Sequence, residues 1–101
     1  MQLDFEAPLW MHDGGSWHFV TVPADLSDDL RDEMAGLTGG FGSIRVEATI
    51  GGTSWLTSVF PSKTGEYVLP VKLAVRRKED VTEGDTVRVQ LQPQLTRKAS
   101  G

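Results

Sequence analysis

The segment YVLPVKLAVRRKEDVTEGDTVRVQL, residues 67–91, predicts a strand, a short helix and a second strand. Pro70 follows the apolar residues 67–69 and has no N–H for a strand ladder, so we expect the first strand to end there. Residues 71–78 are predicted to form a short helix with three buried side chains, Val71, Ala74 and Val75. Gly84-Asp85 opens the second strand, whose inward side chains alternate with polar ones: Val87, Val89 and Leu91.

The first half of the chain has the same order of features. Residues 20–23, Val-Thr-Val-Pro, precede a helix predicted over residues 25–35, with Leu26, Leu30 and Met34 on one stripe. Pro23 lies 20 positions before Ser43 and Pro70 lies 16 before Thr86, so this alignment gives the first copy four extra residues. Two such units packed about a pseudo-two-fold axis would close a small barrel. The alternative is chance, because β-rich sequences alternate anyway.

Four more segments are predicted as strands. Residues 2–10 alternate apolar and polar side chains, and the turn at 12–15 makes them a hairpin with residues 17–22, where Trp17 is predicted to join the core. Gly51-Gly52 supplies the positive φ that a tight hairpin needs between strands 43–50 and 53–60. The expected fold class is therefore mainly β, a barrel with two short helices. We expect one barrel domain over 1–92 and a flexible tail over 93–101.

Composition excludes several classes of protein. The chain has 101 residues and no cysteine, which rules out disulfides and thiolate zinc sites. Its net charge of −4 argues against a general binder of nucleic acid or anionic membranes. The N-terminus lacks the features of a secretory signal, and no apolar run is long enough to span a bilayer. We therefore expect a cytoplasmic protein.

The second half of the chain resembles a known structural unit. Leu69-Pro70-Val71, Ala74-Val75-Arg76 and Gly84-Asp85-Thr86-Val87 resemble the strand-helix-strand unit of AbrB/MazE-like double-split barrels, which are transcription factors and antitoxins built from two chains. From Leu3 to Leu91 the chain more closely resembles the bacterial domain-of-unknown-function family DUF1905. Further residues carry that match: Phe5, Ala7, the Trp17–Pro23 strand, Gly52, Ser58 to Pro61, and Gly65. The resemblance implies a single-chain double-split β-barrel and no particular activity.

No catalytic, cofactor or metal motif is found. The chain lacks a Gly-x-Ser-x-Gly elbow and a Ser-x-x-Lys pair, and Gly39-Gly40-Phe41-Gly42 lacks the spacing of a phosphate loop. His12 and His18 flank Asp13 across a turn, and ordinary surface histidines are the favoured interpretation over zinc ligands. The acidic residues of the first helix, Asp25, Asp28, Asp29, Asp32 and Glu33, are expected to form a solvated face.

Six residues are the candidate binding surface. Four are basic and lie in a turn and the second helix: Lys63, Lys72, Arg76 and Arg77. Trp10 and Trp55 are aromatic candidates for the barrel ends, although core packing is the favoured role for each. In the AbrB-like proteins arginines in this part of the fold contact DNA phosphates. For Arg76 the favoured interpretation is instead a structural ion pair with Asp85 or with the acidic first helix.

Three classes of function remain open. The first is a non-enzymatic binding or structural module whose partner is a small molecule or a protein. The second is an AbrB-like nucleic-acid binder, since residues 1–50 carry a charge of −7 but residues 51–101 carry +3. An enzyme with unrecognised carboxylate chemistry ranks last. We expect no cofactor and no membrane partner, and a monomer is preferred because both halves of the barrel are in one chain.

Overall fold

We describe residues 2–12, 15–34 and 42–94 of a computed structural model of the chain. These residues form six strands and two helices: β1 (Leu3–Met11), β2 (His18–Thr21), α1 (Ala24–Glu33), β3 (Ile44–Ile50), β4 (Thr53–Pro61), β5 (Tyr67–Pro70), α2 (Leu73–Glu79) and β6 (Thr86–Pro93). Neither helix is long and apolar enough to cross a membrane.

The strands close into one antiparallel barrel in the order β1-β2-β5-β4-β3-β6. Alternate side chains of each strand point inward, as period-two patterning requires, and form a single apolar core. Strand β3 shows this most clearly, because its four buried residues are Ile44, Val46, Ala48 and Ile50. The predicted mainly-β barrel with two short helices is confirmed.

The barrel has an internal pseudo-two-fold arrangement. One half is β1-β2-α1-β3, the other is β4-β5-α2-β6, and exchanging the halves leaves the strand order unchanged. Two reciprocal hydrogen bonds cross the β2–β5 junction. The Val22 N–H donates to the Tyr67 carbonyl at 2.8 Å, and the Val71 N–H donates to the His18 carbonyl at 2.9 Å. The predicted repeat therefore describes the actual construction of the barrel.

The alignment of the repeat based on its prolines was wrong. The reciprocal hydrogen bonds make Val22 equivalent to Val71, and each helix begins two residues later, at Ala24 and Leu73. Pro23 is therefore equivalent to Lys72 rather than to Pro70. Counted from these positions, Ser43 lies 20 residues on and Thr86 lies 14, so the first half has six extra residues. The alignment of β3 with β6 is correct, since Ala48 faces Leu91 at the centre of their ladder.

Two predictions about buried side chains were also wrong. Trp17 is 65% exposed, because Val20 points inward and odd-numbered positions of this segment therefore face outward. Ala74 is exposed. The helix begins at Leu73, two residues later than predicted, and only Val71 and Val75 of this segment enter the core. The five acidic residues of α1 are all exposed, as predicted.

The last strand begins at Thr86, after the predicted opening at Gly84-Asp85, and ends at Pro93, one residue beyond the predicted end of the domain. Pro93 is buried and lies opposite Val46, and the next N–H, of Gln94, donates to the Arg45 carbonyl at 2.8 Å. The predicted tail beyond this point lies outside the described residues from 95 onward. So do Asp13 and the glycine-rich loop as far as Phe41.

Candidate functional site

Strands β4 and β5 separate after a very short ladder, and this opens a groove in the barrel wall. They pair only at Phe60 with Val68 and at Pro61 with Tyr67. Two residues further along, the same register would place Ser58 opposite Pro70. Pro70 has no N–H to donate, so the ladder cannot continue there. Both residues instead line the open space between the two strands.

This groove, which we call the split groove, has a volume of about 490 Å³. One wall is strand β4 from Trp55 to Phe60, and the other is the segment that leads from Pro70 into α2. Residues 16–18, just before and at the start of β2, close one side. A groove of this size lies within the range of small-ligand sites.

The charged side chains that line the split groove are all basic: Arg45, Lys72 and Arg76. Among the described residues no aspartate or glutamate lines it, although the whole chain has a net charge of −4. Arg45 and Lys72 are exposed and Arg76 is half-buried. A cluster of three cations without a carboxylate favours an anionic group in the groove.

Arg76 is held in place by one edge of its guanidinium. Its Nε donates to the Val71 carbonyl at 3.1 Å. The predicted ion pair with Asp85 or α1 is wrong, because Asp85 instead accepts the Thr82 N–H at 2.9 Å, and within the described ranges Arg76 forms no ion pair. The terminal nitrogens of Arg76 have no hydrogen-bond partner among the described residues and can contact a ligand.

The pseudo-two-fold explains why Arg76 has this role. Its equivalent in the other half is Ser27, which lies the same number of residues after Val22 as Arg76 lies after Val71. The Ser27 hydroxyl likewise donates to the Val22 carbonyl, at 3.0 Å. Ser27 is fully buried, whereas the longer Arg76 makes the same contact and still reaches the groove. In the first half of the barrel this contact is made by a buried hydroxyl, whereas in the second half it positions a cation beside the groove.

Exposed apolar side chains surround the cations. Trp17, Leu56 and Phe60 all line the split groove and are 65%, 61% and 46% exposed. Trp17 stacks on Phe19, with ring centroids 6.1 Å apart and planes within 11°. A second, almost entirely apolar hollow of about 390 Å³ adjoins the groove and shares Trp17, Phe60 and Pro70 with it. The site thus offers apolar surface beside positive charge.

The six predicted residues are divided between the groove and other surfaces. Trp55, Lys72 and Arg76 line the split groove, and Trp55 is also part of the core, as favoured from the sequence. Arg77 and Lys63 are exposed elsewhere, on α2 and in the turn after β4.

Trp10 lies outside the groove, half-buried on β1, where its Nε1 donates to Thr21 Oγ1 at 2.9 Å. The lining residues that sequence reasoning missed include Arg45, Trp17, Leu56 and Phe60. The alternating pattern of each strand could have shown that Arg45 and Trp17 occupy outward-facing positions.

The two histidines are not part of a described metal cluster. His18 lines the groove and its Nδ1 lies 2.8 Å from the Ser16 carbonyl, whereas His12 lies edge-on to Phe19. The described ranges contain no group of three metal-ligating side chains.

The resolved pKa shifts occur at salt bridges. The hydrogen bond from Arg88 lowers the pKa of Asp4, and Asp4 in turn raises the pKa of Arg88. The hydrogen bond to Asp28 raises the pKa of Arg31.

The fold defines the class of this protein: a small closed β-barrel built from two pseudo-repeats in one chain. The chain belongs to the family described as domain of unknown function (DUF1905), whose sequence profile matches residues 5–91. A search of curated proteins finds no match to the chain. The family therefore establishes kinship without assigning an activity, and the functional argument depends on the groove.

Proposed function

We propose that this protein is a non-enzymatic binding module that holds a small organic anion in the split groove. The observation that carries the proposal is the lining itself, in which the described residues supply three cations, three exposed apolar side chains and no carboxylate. Arg and Lys side chains bind carboxylates and phosphates through charge-assisted hydrogen bonds. An apolar surface beside them favours a ligand that has an apolar body as well as a charge.

The arrangement of Arg76 supports binding in particular. Its Nε is already bonded to the Val71 carbonyl, so the guanidinium is oriented before a ligand arrives. Ordering a long side chain in advance reduces the entropy lost on binding. Arg45 approaches from β3 and Lys72 from the residue before α2, so an anion would be contacted from separate elements.

The test is a titration with 1-anilinonaphthalene-8-sulfonate, an aromatic anion whose fluorescence rises on binding, and with its uncharged parent. We expect the anion to bind more tightly, and Arg45→Gln and Arg76→Gln each to weaken it about tenfold, the cost of losing a hydrogen bond to a charged group. Arg77→Gln is the matched control, because it removes the same charge from the same helix outside the groove. Equal affinities for the charged and uncharged probes would refute the proposal.

Single-stranded nucleic acid is the second candidate function. It is favoured by Lys72 and Arg76 lying beside the exposed rings of Trp17 and Phe60, because bases stack on aromatic side chains while cations follow the backbone. A band-shift experiment with oligonucleotides at about 50 mM salt tests this candidate. A shift that weakens steeply with added salt would support it, and no shift with micromolar protein would eliminate it.

A further inference from the structure

In the part of the chain that the structure describes, one edge of strand β4 has no strand beside it where it borders the split groove. From Thr53 to Val59, β4 pairs only with β3, because its pairing with β5 is confined to Phe60 and Pro61. An unpaired strand edge presents a row of backbone N–H and C=O groups that another strand can use. The edge at Leu56 and Ser58 lies in the wall of the groove.

The direction of these backbone groups follows from the neighbouring hydrogen bonds. The Ser62 N–H donates to the Glu66 carbonyl at 2.9 Å across the β4–β5 hairpin, and Phe60 pairs with Val68 in the same ladder. In antiparallel strands the hydrogen-bonding groups of successive residues point to alternate sides. Ser58 and Leu56 have the same parity as Phe60 and Ser62, so their N–H and C=O groups point away from β3.

Pro70 keeps this edge open. It occupies the position opposite Ser58 in the β4–β5 register and has no N–H for the Ser58 carbonyl. Leu56 and Ser58 are two residues apart, a separation of about 6.8 Å along an antiparallel strand. An extended peptide repeats its own backbone groups at the same interval, so it can bond to both residues at once.

From these observations we propose that the natural anion is the free carboxyl terminus of an extended peptide, which adds to β4 as a strand. This inference rests on the proposed function and specifies its ligand. The peptide backbone bonds to Leu56 and Ser58, and its terminal carboxylate lies among Arg45, Lys72 and Arg76. Apolar side chains of the peptide pack on Trp17 and Phe60. These two residues also line the adjoining apolar hollow, so a peptide side chain can extend into it.

The charge of the groove favours a carboxyl terminus over an internal stretch of peptide. An internal strand has no charge at its backbone and would leave three cations facing it without a partner. A single carboxylate can form a bidentate contact with the guanidinium of Arg76, whose terminal nitrogens have no partner within residues 2–12, 15–34 and 42–94. The open β4 edge then supplies contacts that a compact anion cannot make.

The experiment measures amide hydrogen exchange in the ¹⁵N-labelled full chain with two pools of acetylated apolar tetrapeptides. One pool has free carboxylates and the other has carboxamides. We expect the carboxylate pool to slow exchange at the Leu56 and Ser58 amides at least tenfold and the carboxamide pool to have little effect. Arg45→Gln should reduce the protection, and Arg77→Gln should leave it unchanged.

Two results would overturn the inference. If 1-anilinonaphthalene-8-sulfonate binds but neither pool slows exchange at Leu56 and Ser58, the groove holds anions without adding a strand. If both pools protect the two amides equally, a strand adds without recognition of its carboxylate. Failure of the anion probe itself is separate, because it would refute the proposed function as well.

Discussion

Ser27 joins three elements through one buried hydroxyl. It lies on α1 and is fully buried, and it donates to the Val22 carbonyl just after β2. The same oxygen accepts the N–H of Tyr67, the first residue of β5, at 3.0 Å. No buried side-chain polar atom of the described residues is left without a hydrogen bond. This hydroxyl thus links α1 to the residue that follows β2 and to β5.

Replacing Ser27 with alanine should lower the free energy of unfolding by about 1–3 kcal/mol. The substitution leaves the buried Tyr67 N–H without an acceptor, and this costs more than the loss of the hydroxyl's own donated bond. Urea denaturation measures the change. Asp29→Ala, on the exposed face of α1, is the control and should stay within about 0.5 kcal/mol. A Ser27→Ala protein as stable as this control would contradict the assigned role.

Helix α2 is attached to the hairpin of β3 and β4 through its last residue. Glu79 accepts a hydrogen bond from the Thr53 hydroxyl, and its carboxylate lies against Gly51 in the turn. Gly51 has a φ of 60°, in the left-handed region. This turn therefore needs glycine both for its backbone conformation and for the space that Glu79 occupies.

Gly51→Ala should destabilise the protein by about 2 kcal/mol or more, since a non-glycine residue at this φ costs about 1–2 kcal/mol before any overlap with Glu79. Gly52→Ala is the matched control, because nothing lies within 4 Å of a Cβ placed there. Thermal unfolding of the two proteins measures the difference. Equal melting temperatures would show that the contact between α2 and this turn does not constrain residue 51.

At the scale of elements, the sequence was sufficient to predict the strands and helices whose apolar residues recur at a regular spacing. Strand β3 alternates over seven residues, and Leu26 and Leu30 lie at helical spacing on α1, so both elements were predicted within two residues. The proline alignment failed because strand register, rather than the position of a proline, determines equivalence. The bonds of Val22 and Val71 that fix this register join residues far apart in sequence.

The candidate site was predictable only in part, because it too depends on pairing between residues far apart in sequence. Lys72 and Arg76 could be selected from the sequence because both belong to the basic helix predicted over residues 71–78. Arg45 and Phe60 belong to the site only because β4 and β5 separate, and that depends on Pro70 lying opposite Ser58. No local pattern contains this pairing. Trp17 was assigned to the core because it is hydrophobic. Val20 points inward, so Trp17, an odd number of residues before it, faces outward.

At the scale of the whole molecule, the first and last strands close the barrel. Strands β1 and β6 pair from Leu3 to Pro8, and on their outer face Arg88 binds Asp4 through two hydrogen bonds of 2.7 and 2.9 Å. The acidic partner comes from the acidic half of the chain and the basic partner from the basic half. The pair is exposed, so its contribution to stability is small and sensitive to salt.

This pair predicts a dependence of stability on pH. Arg88 lowers the pKa of Asp4, so the pair's stabilisation is fully present above the ordinary aspartate pKa of about 3.9 and is lost as the pH falls through the lower folded-state pKa. Asp4→Asn should therefore have a lower melting temperature than the natural protein at pH 7, and the difference should disappear as the pH falls below the lowered pKa of Asp4. About 1 M salt should reduce the difference at pH 7. A constant difference at all pH values would contradict this account.

An organic anion held in the basic split groove of this acidic barrel should remain bound when the protein is purified gently. Native mass spectrometry of gently purified protein tests this claim most directly, by comparing the natural sequence with Arg76→Gln and Arg77→Gln. The account predicts a bound organic anion on the natural protein and on Arg77→Gln, and its loss from Arg76→Gln. An anion retained equally by all three proteins, or found on none of them, would contradict the claim.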